Sequence, residues 1–285
     1  MPATRSSAAR RPAPGCRRRG LWLAAALAAA LGARPGAAAE PDVGPPRCLA
    51  AGEALEATLS WGEVHRYVIE LTRGDYVVVA LDQRSIDILP VITAPDGAVL
   101  FRNNGNDWGR EEAAIVAPVT GLYRLDLSPA RRGAATGTYG VRVETVRPAT
   151  ADDAARARAL GLMSEAYTVY SPMIAATGTT SKVDLPRARA LYEQALAAYQ
   201  ALEDRRGEAA ALYALGDVAN NMDDYHAQAD FMRRSAEVAR AAGDEYLEAC
   251  ALRARGKALD LCGEYEEAGA LYDRGLALYR ATGNV

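Results

Sequence analysis

The feature that most constrains this chain is an internal repeat. Sliding the 285-residue sequence by 40 positions superposes Leu212 on Leu252, Gly216 on Gly256 and Tyr225 on Tyr265. The same shift aligns Ala188 with Gln228 and Ala268, Tyr192 with Met232 and Tyr272, and Asp204 with Asp244 and Asn284. Self-similarity at a fixed period marks a solenoid, because a single unit cannot bury its own apolar face and has to stack on its neighbours. Apolar residues here recur every three or four positions, so the units are helical. Each reads as a helix pair, with Asp204 and Asp244 capping the first helix and Asp184, Asp224 or Glu264 near the start of the second. Pro186 stands in a first turn, where a missing N–H is tolerated. Small residues at Ala188, Gly216 and Ser235 mark close helix crossings, with Leu212, Tyr192 and Tyr272 filling the space beside them. About three pairs are expected over 149–285: a divergent one at 152–203 with an extra loop, AATGTTSKV, then 204–243, then 244 to the end. Gln228 occupies a small-residue site, which would rotate its helix to present Ala229, and Arg255 replaces the leucine of position 215.

Upstream, from Glu53 to about Val146, the pattern changes to eight short alternating runs: EALEATL, VHRYVIEL, DYVVVALDQ, DILPVITA, AVLF, EAAIVAP, LYRLDL and TYGVRVETV. Turn residues separate them, so residues 40–148 are expected to form a jelly-roll-like antiparallel β-sandwich. Alternation gives the inner face: Tyr123, Leu125 and Leu127 against Arg124 and Asp126, and Tyr139, Val141 and Val143 in the last run. Asp82, Asp87, Asp96 and Asp107 are read as turn-forming acids rather than calcium ligands, since no run gathers them locally. Trp108 is read as a plug for the sandwich end, with stacking on a sugar or peptide as the alternative. His65 is read as structural.

The first 39 residues hold seven arginines and no acid, then LWLAAALAAAL and GARPGAAA. That order is a secretory signal peptide with cleavage after Ala39, and the apolar run is too short to span a bilayer. Arg18 and Arg19 leave the twin-arginine and general export routes both open. A secreted or periplasmic location follows. Without the leader the chain keeps 26 basic and 36 acidic residues, a balance that excludes nucleic acid as the expected partner. Cys48, Cys250 and Cys262 remain, an odd number without framework spacing, and are expected to be buried small hydrophobes. His65 and His226 have no Ser or Cys motif beside them, and RGKAL lacks the rest of a phosphate loop. No catalytic residue, metal or cofactor is assigned.

Two resemblances sharpen this. The order GEVHRYVIELTRGDYVVVALDQRSIDILPVITAPDGAVLF, TGLYRLDLSP and TGTYGVRVE resembles the pre-peptidase C-terminal type β-sandwich found near secreted and surface hydrolases. Leu-Gly, a Tyr nine residues after the Gly, then Ala, a large apolar and a small residue resembles tetratricopeptide repeats of about 40 residues. Leader, sandwich and repeats in that order look like the N-terminal part of bacterial CHAT-family proteins. Their caspase-like domain has no counterpart in this sequence, so the peptidase activity that the resemblance implies maps to no residue here.

With Leu212, Leu215, Ala219 and Met222 as the core stripe, a step of about 100° per residue places Tyr213, Asp217 and Asn220 on a neighbouring stripe, with Asn221 close by. Arg253, Lys257 and Asp260 repeat it one unit later. In tetratricopeptide proteins the matching stripe lines a groove that holds peptides, which makes these seven residues the expected partner-binding set. Arg253 and Lys257 could hold a carboxylate; the alternative is a solvated face balanced by Asp217 and Asp260. The chain is therefore read as a non-catalytic scaffold for a protein or peptide, with an accessory polymer-binding module of a hydrolase as the alternative and a regulated protease as a third class. The last helix, EYEEAGALYDRGLALYRA, carries Leu271, Tyr272, Leu276, Leu278 and Tyr279 as if awaiting a cover, from which a continuation into a further domain is expected.

Overall fold

A computed structural model describes residues 42–43, 46–102, 109–131, 133–170 and 183–281. The leader, Asp107, Trp108, most of AATGTTSKV and the final TGNV lie outside the described residues.

All eight expected runs form strands: β3 (Ala54–Leu59), β4 (Glu63–Leu71), β5 (Asp75–Gln83), β6 (Ile88–Thr93), β7 (Val99–Arg102), β8 (Gly109–Val116), β9 (Gly121–Pro129) and β10 (Gly137–Pro148). Ahead of them lie two short strands that alternation did not reveal, β1 (Asp42–Val43) and β2 (Arg47–Cys48). Both pair with β4 in parallel, so the sandwich is not purely antiparallel. One sheet runs β1-β4-β9-β6-β7 with β2 also on β4, and the other runs β3-β10-β5-β8.

Alternation translates directly into burial. Tyr123, Leu125, Leu127, Tyr139, Val141 and Val143 are all at most 2% exposed and meet Leu59, Ile69, Leu81, Ile92 and Phe101 between the sheets. Polar atoms in this core find partners. The Tyr139 hydroxyl of one sheet lies 2.7 Å from the Tyr67 hydroxyl of the other and 2.7 Å from His65 Nδ1. Burial, reinforced by the Tyr67 bond, pushes the Tyr139 hydroxyl far above the ordinary tyrosine range. His65 thus joins the two layers, the structural role expected of it. Tyr123 closes a corner by donating to the Val119 carbonyl at 2.7 Å and accepting the Val119 N–H at 3.2 Å. Asp82 pairs with Arg84, Asp87 with Arg131, and Asp96 caps the Ala98 N–H, so these acids do not converge.

Six helices follow: α1 (Ala151–Tyr170), α2 (Leu185–Ala201), α3 (Arg205–Asn221), α4 (Tyr225–Ala242), α5 (Glu245–Leu261) and α6 (Tyr265–Ala281). Their connections repeat every 20 residues, half the sequence period. Asp184, Asp204, Asp224 and Asp244 each accept the N–H three residues on, at 3.0–3.2 Å. Just before three of these caps, and again at Gly263, sits a residue in the left-handed region: Glu203, Asp223 and Gly243. There the next residue's N–H reaches back five positions, from Asp204 to Tyr199, Asp224 to Ala219, Asp244 to Ala239 and Glu264 to Leu259.

Helices cross closely where small residues allow it. A Cβ on Gly216 would meet Met232, and one on Gly207 would come within 2.2 Å of the Tyr199 ring. Ser235 instead donates to the Ala209 carbonyl at 2.9 Å. Gln228 and Ala229 are both buried, so the helix does not exchange one for the other; the Gln228 Oε1 has no described partner. Arg255 is half-buried and reaches Glu267 on α6.

Three apolar assignments need correction. Met222 leaves the core stripe and is 43% exposed, because α3 ends at Asn221 and Met222 is its C-cap. Leu271 and Leu278 of α6 pack into the α4–α5 cluster and Tyr279 lies half-buried, leaving Tyr272 and Leu276 as the outward members of that set. Cys48 is exposed on a short edge strand, and Cys250 and Cys262 are half-buried, Cys262 as the C-cap of α5.

From Asp42 onward strands and helices belong to one compact unit. Helix α1 packs on β7 and β8, one from each sheet, and Leu160 joins the sandwich core. Its first turn is a capping box in which the Thr150 hydroxyl accepts the Asp153 N–H while the Asp153 carboxylate accepts the Thr150 N–H. Arg147 at the end of β10 grips the same carboxylate with two nitrogens and lies over the Tyr76 ring at 5.4 Å. Arg147 above all, helped by Thr150, holds Asp153 well below the usual carboxylate range.

Candidate partner-binding face

The seven expected groove residues lie on α3 and α5, two helices in direct contact. Beside the buried stripe of Leu212, Leu215 and Ala219 on α3, Tyr213, Asp217 and Asn220 are half-buried and Asn221 is exposed, whereas Arg253, Lys257 and Asp260 are exposed beside Leu252 and Leu259 on α5.

At the C-terminal end of α3, Asn221 donates its amide to the Tyr170 hydroxyl at 2.6 Å and to the Asp217 carbonyl at 2.8 Å. Tyr170 ends α1, so this amide bridges two repeats. Burial, and then the charge of Asp217, push the Tyr170 hydroxyl up to about 12, against the opposing effect of the Asn221 bond. One helix further on, Lys257 Nζ lies 3.5 Å from Asn220 Oδ1, at the outer limit of a hydrogen bond. The face therefore runs through three successive repeats by way of Tyr170, Asn221, Asn220 and Lys257.

Tyr213 is less available than its stripe position suggests. It is half-buried among Ala209, Ala239, Leu247 and the α4–α5 cluster, and burial, followed by the nearby Asp217, pushes its hydroxyl far up. Arg253 is exposed and hydrogen-bonds the Tyr279 hydroxyl of α6. Tyr279 also donates to Cys250 Sγ at 3.1 Å and meets Tyr246 edge to face at 6.0 Å. Burial first, then the Cys250 bond, push Tyr279 up to about 12. Asp260 is exposed, and its charge, after burial, helps to raise the hydroxyl of Tyr272 on α6.

The structure thus brings together Tyr213, Asp217 and Arg253 at one level, and Asn220, Asn221 and Lys257 at another, and leaves Asp260 at the margin. Tyr170, Tyr246 and Tyr279 join the face without having been read from the sequence. The 40-residue shift places Ala239 where Tyr279 stands and Tyr199 one period earlier, so the tyrosine recurs only in alternate units, and in α2 it is buried in the core. Among the described residues no three His, Cys, Asp or Glu side chains gather as metal ligands, and no helix is long and apolar enough to cross a membrane.

No protein-family model matches the chain, and no curated protein matches it. Solved structures with similar folds include the pre-peptidase C-terminal domain of a Bacillus anthracis collagenase, at 16% identity and TM-score 0.31, covering 35% of this chain and 95% of that one. The TPR domain of Arabidopsis FLU matches at 18% identity and TM-score 0.37, covering 44% of this chain and 98% of that one. A multi-domain immunophilin from Arabidopsis thaliana matches at 13% identity and TM-score 0.32, covering 75% of this chain and 93% of that one.

Proposed function

We propose that this chain is a scaffold that holds a peptide or protein segment along α1, α3 and α5 and performs no reaction itself. The observation that carries the reading is the line from Tyr170 through Asn221 and Asn220 to Lys257, which links three repeats along one polar face. Such a face offers what an extended segment needs: amides to meet its backbone, tyrosine rings for its side chains, and two cations, Arg253 and Lys257, for a carboxylate. Asp217 keeps that charge local. The sandwich, tied to α1, serves as spacer or docking module.

The finer parts of the proposal rest on the sequence. Residues 1–39 would direct the chain out of the cytoplasm. The order of leader, sandwich and repeats would make it the N-terminal portion of a CHAT-type protein, in which the scaffold presents a segment to a further domain.

The test is a peptide array probed with the purified protein, followed by the double charge reversal Arg253→Glu and Lys257→Glu. Captured peptides rich in carboxylates, with affinity reduced about tenfold or more by the reversal, support the reading. Unchanged capture by a variant of undiminished helicity removes these two residues, and retention of polysaccharide in place of peptide removes the proposal.

A further inference from the structure

The repeat period assigns a task to each face of α6. On α4, Ala229, Met232 and Ala236 are 9%, 0% and 3% exposed, packed in one cluster with Leu252, Ala258 and Leu259 of the following helix. Forty residues later the same positions of α6 carry Gly269, Tyr272 and Leu276, and these are exposed, the two large side chains by 37% and 40%. Tyr265, 68% exposed, extends the stripe by one turn. This is the helix-stacking face of the repeat.

Gly269 adds a second observation. A Cβ there would meet nothing within 4 Å among the described residues, so none of their packing requires glycine. Yet glycine inside a helix costs about 1 kcal/mol relative to alanine. Gly256 is different, since its Cβ would run into the Tyr272 ring at 2.8 Å. A bare backbone on an exposed stacking face suits the close approach of something from outside.

We propose that this stripe, read from the sequence as awaiting a continuation of the chain, is instead the interface with a second copy of the chain, α6 packing antiparallel on α6 about a twofold axis. The stripe is complementary to itself. Reversed about the point between Tyr272 and Asp273, Leu276 falls on the partner's Gly269, a knob over the notch, and Tyr265 falls on the partner's Arg280, a cation over a ring. Charge selects the direction. The first turn of α6 is acidic, with Glu266 and Glu267, and its last turn is basic, with Arg280. At about 100° per residue Glu266, Asp273 and Arg280 run along one border of the stripe, so the antiparallel pair sets Glu266 beside the partner's Arg280. A parallel pair would set like against like, and the helix dipoles also favour the antiparallel arrangement. One contact opposes association: Asp273 lies next to the axis and faces the partner's Asp273. An interface related by a twofold axis needs knob, hole, acid and base on one surface, and α6 carries all four.

The test is analytical ultracentrifugation of the purified protein over a concentration series reaching about 100 µM, the range in which even weak association registers. The expected result is the mass of two chains, with Leu276→Asp and Gly269→Leu each weakening association about tenfold or more. Asp273→Asn should tighten it. Glu266→Arg should weaken it, and adding Arg280→Glu should restore it, a rescue that neither misfolding nor an unrelated partner produces. Circular dichroism of each variant reports whether the helices persist, and the charge pair decides the case for any variant whose helices do not. A protein that stays a single chain throughout, including one that takes up a different helical protein through Leu276, overturns the proposal. So does a dimer that survives both Leu276→Asp and Glu266→Arg.

Discussion

The Ser164 hydroxyl of α1 accepts the backbone N–H of Arg102, the last residue of β7, at 2.7 Å. An edge strand ends there, and its last donor would otherwise face the apolar side of a helix. Ser164 is 8% exposed. Replacing it with valine keeps the bulk and strands the donor, so Ser164→Val should lower stability by about 1–3 kcal/mol, the cost of leaving a buried group unpaired. Urea unfolding followed by tyrosine fluorescence measures the loss; an unchanged midpoint would show that the strand end is solvated instead.

At the same joint, Asp153 ties α1 to the sandwich through Arg147. Its carboxyl is depressed in the folded protein, so the stability that it contributes is fully present above the ordinary carboxylate range, near 4, and is lost as pH falls through the lowered value. Acid titration should therefore loosen the joint, and Asp153→Asn should remove that part of the pH dependence. Stability curves of the two proteins that stay parallel below pH 4 would contradict this.

Glu203 holds φ at 52° in the turn where Gly243 holds 72°. A side chain in the left-handed region crowds its own carbonyl, at a cost of about 1–2 kcal/mol that glycine avoids. Glu203→Gly should stabilise the protein by about 0.5–1 kcal/mol, part of the relief being offset by the greater freedom of glycine in the unfolded chain. Gly243→Glu should do the reverse. Thermal melts of both variants check the pair of signs.

These turns also show what the sequence could and could not reveal. The caps were visible because Asp184, Asp204, Asp224 and Asp244 are one residue type at one spacing. The left-handed residue before three of these caps was not, since Glu203 and Asp223 look nothing like Gly243 or the corresponding Gly263. Sandwich strands were legible where alternation ran for several residues, as in β9, whereas β1 and β2 are two residues long and held by backbone pairing that no side-chain pattern records. Helical periodicity placed Leu212 and Leu215 correctly but carried Met222 into a core that α3 ends too soon to reach. On the candidate face, shared stripes brought Asn220 and Lys257 together, while Tyr170 and Tyr279 come from helices the stripe did not include. Periodicity reports what repeats, and a binding face is built partly from what does not.

Gly207 stands on the third residue of α3, where a Cβ would lie 2.2 Å from a ring carbon of Tyr199, itself 3% exposed. The ring has nowhere to go. Gly207→Ala should cost about 1–3 kcal/mol through overpacking, despite the better helix propensity of alanine. Trimming the ring should relieve the clash, so Gly207→Ala with Tyr199→Leu should be less destabilising than the sum of the two single changes. Strict additivity in denaturant melts would mean that the two residues do not meet.

High pH tests the tyrosines of the candidate face. Tyr170 and Tyr279 are both pushed up to about 12, by burial before any other cause, whereas in the unfolded chain both titrate near 10. A raised folded value means that the folded state binds the proton more tightly, so their contribution is fully present below pH 10 and is lost as pH rises through 12. Tyrosinate absorbance should show a late class of hydroxyls that ionises together with the loss of helical circular dichroism. Tyr170→Phe and Tyr279→Phe should each shrink that class and move helix loss to higher pH. The Tyr279→Phe variant also separates two roles, since it frees Arg253 from its bond to the hydroxyl: if Arg253 serves a ligand carboxylate, peptide capture should strengthen while the alkaline limb shifts, and a shift in the limb alone would assign Tyr279 to stability only.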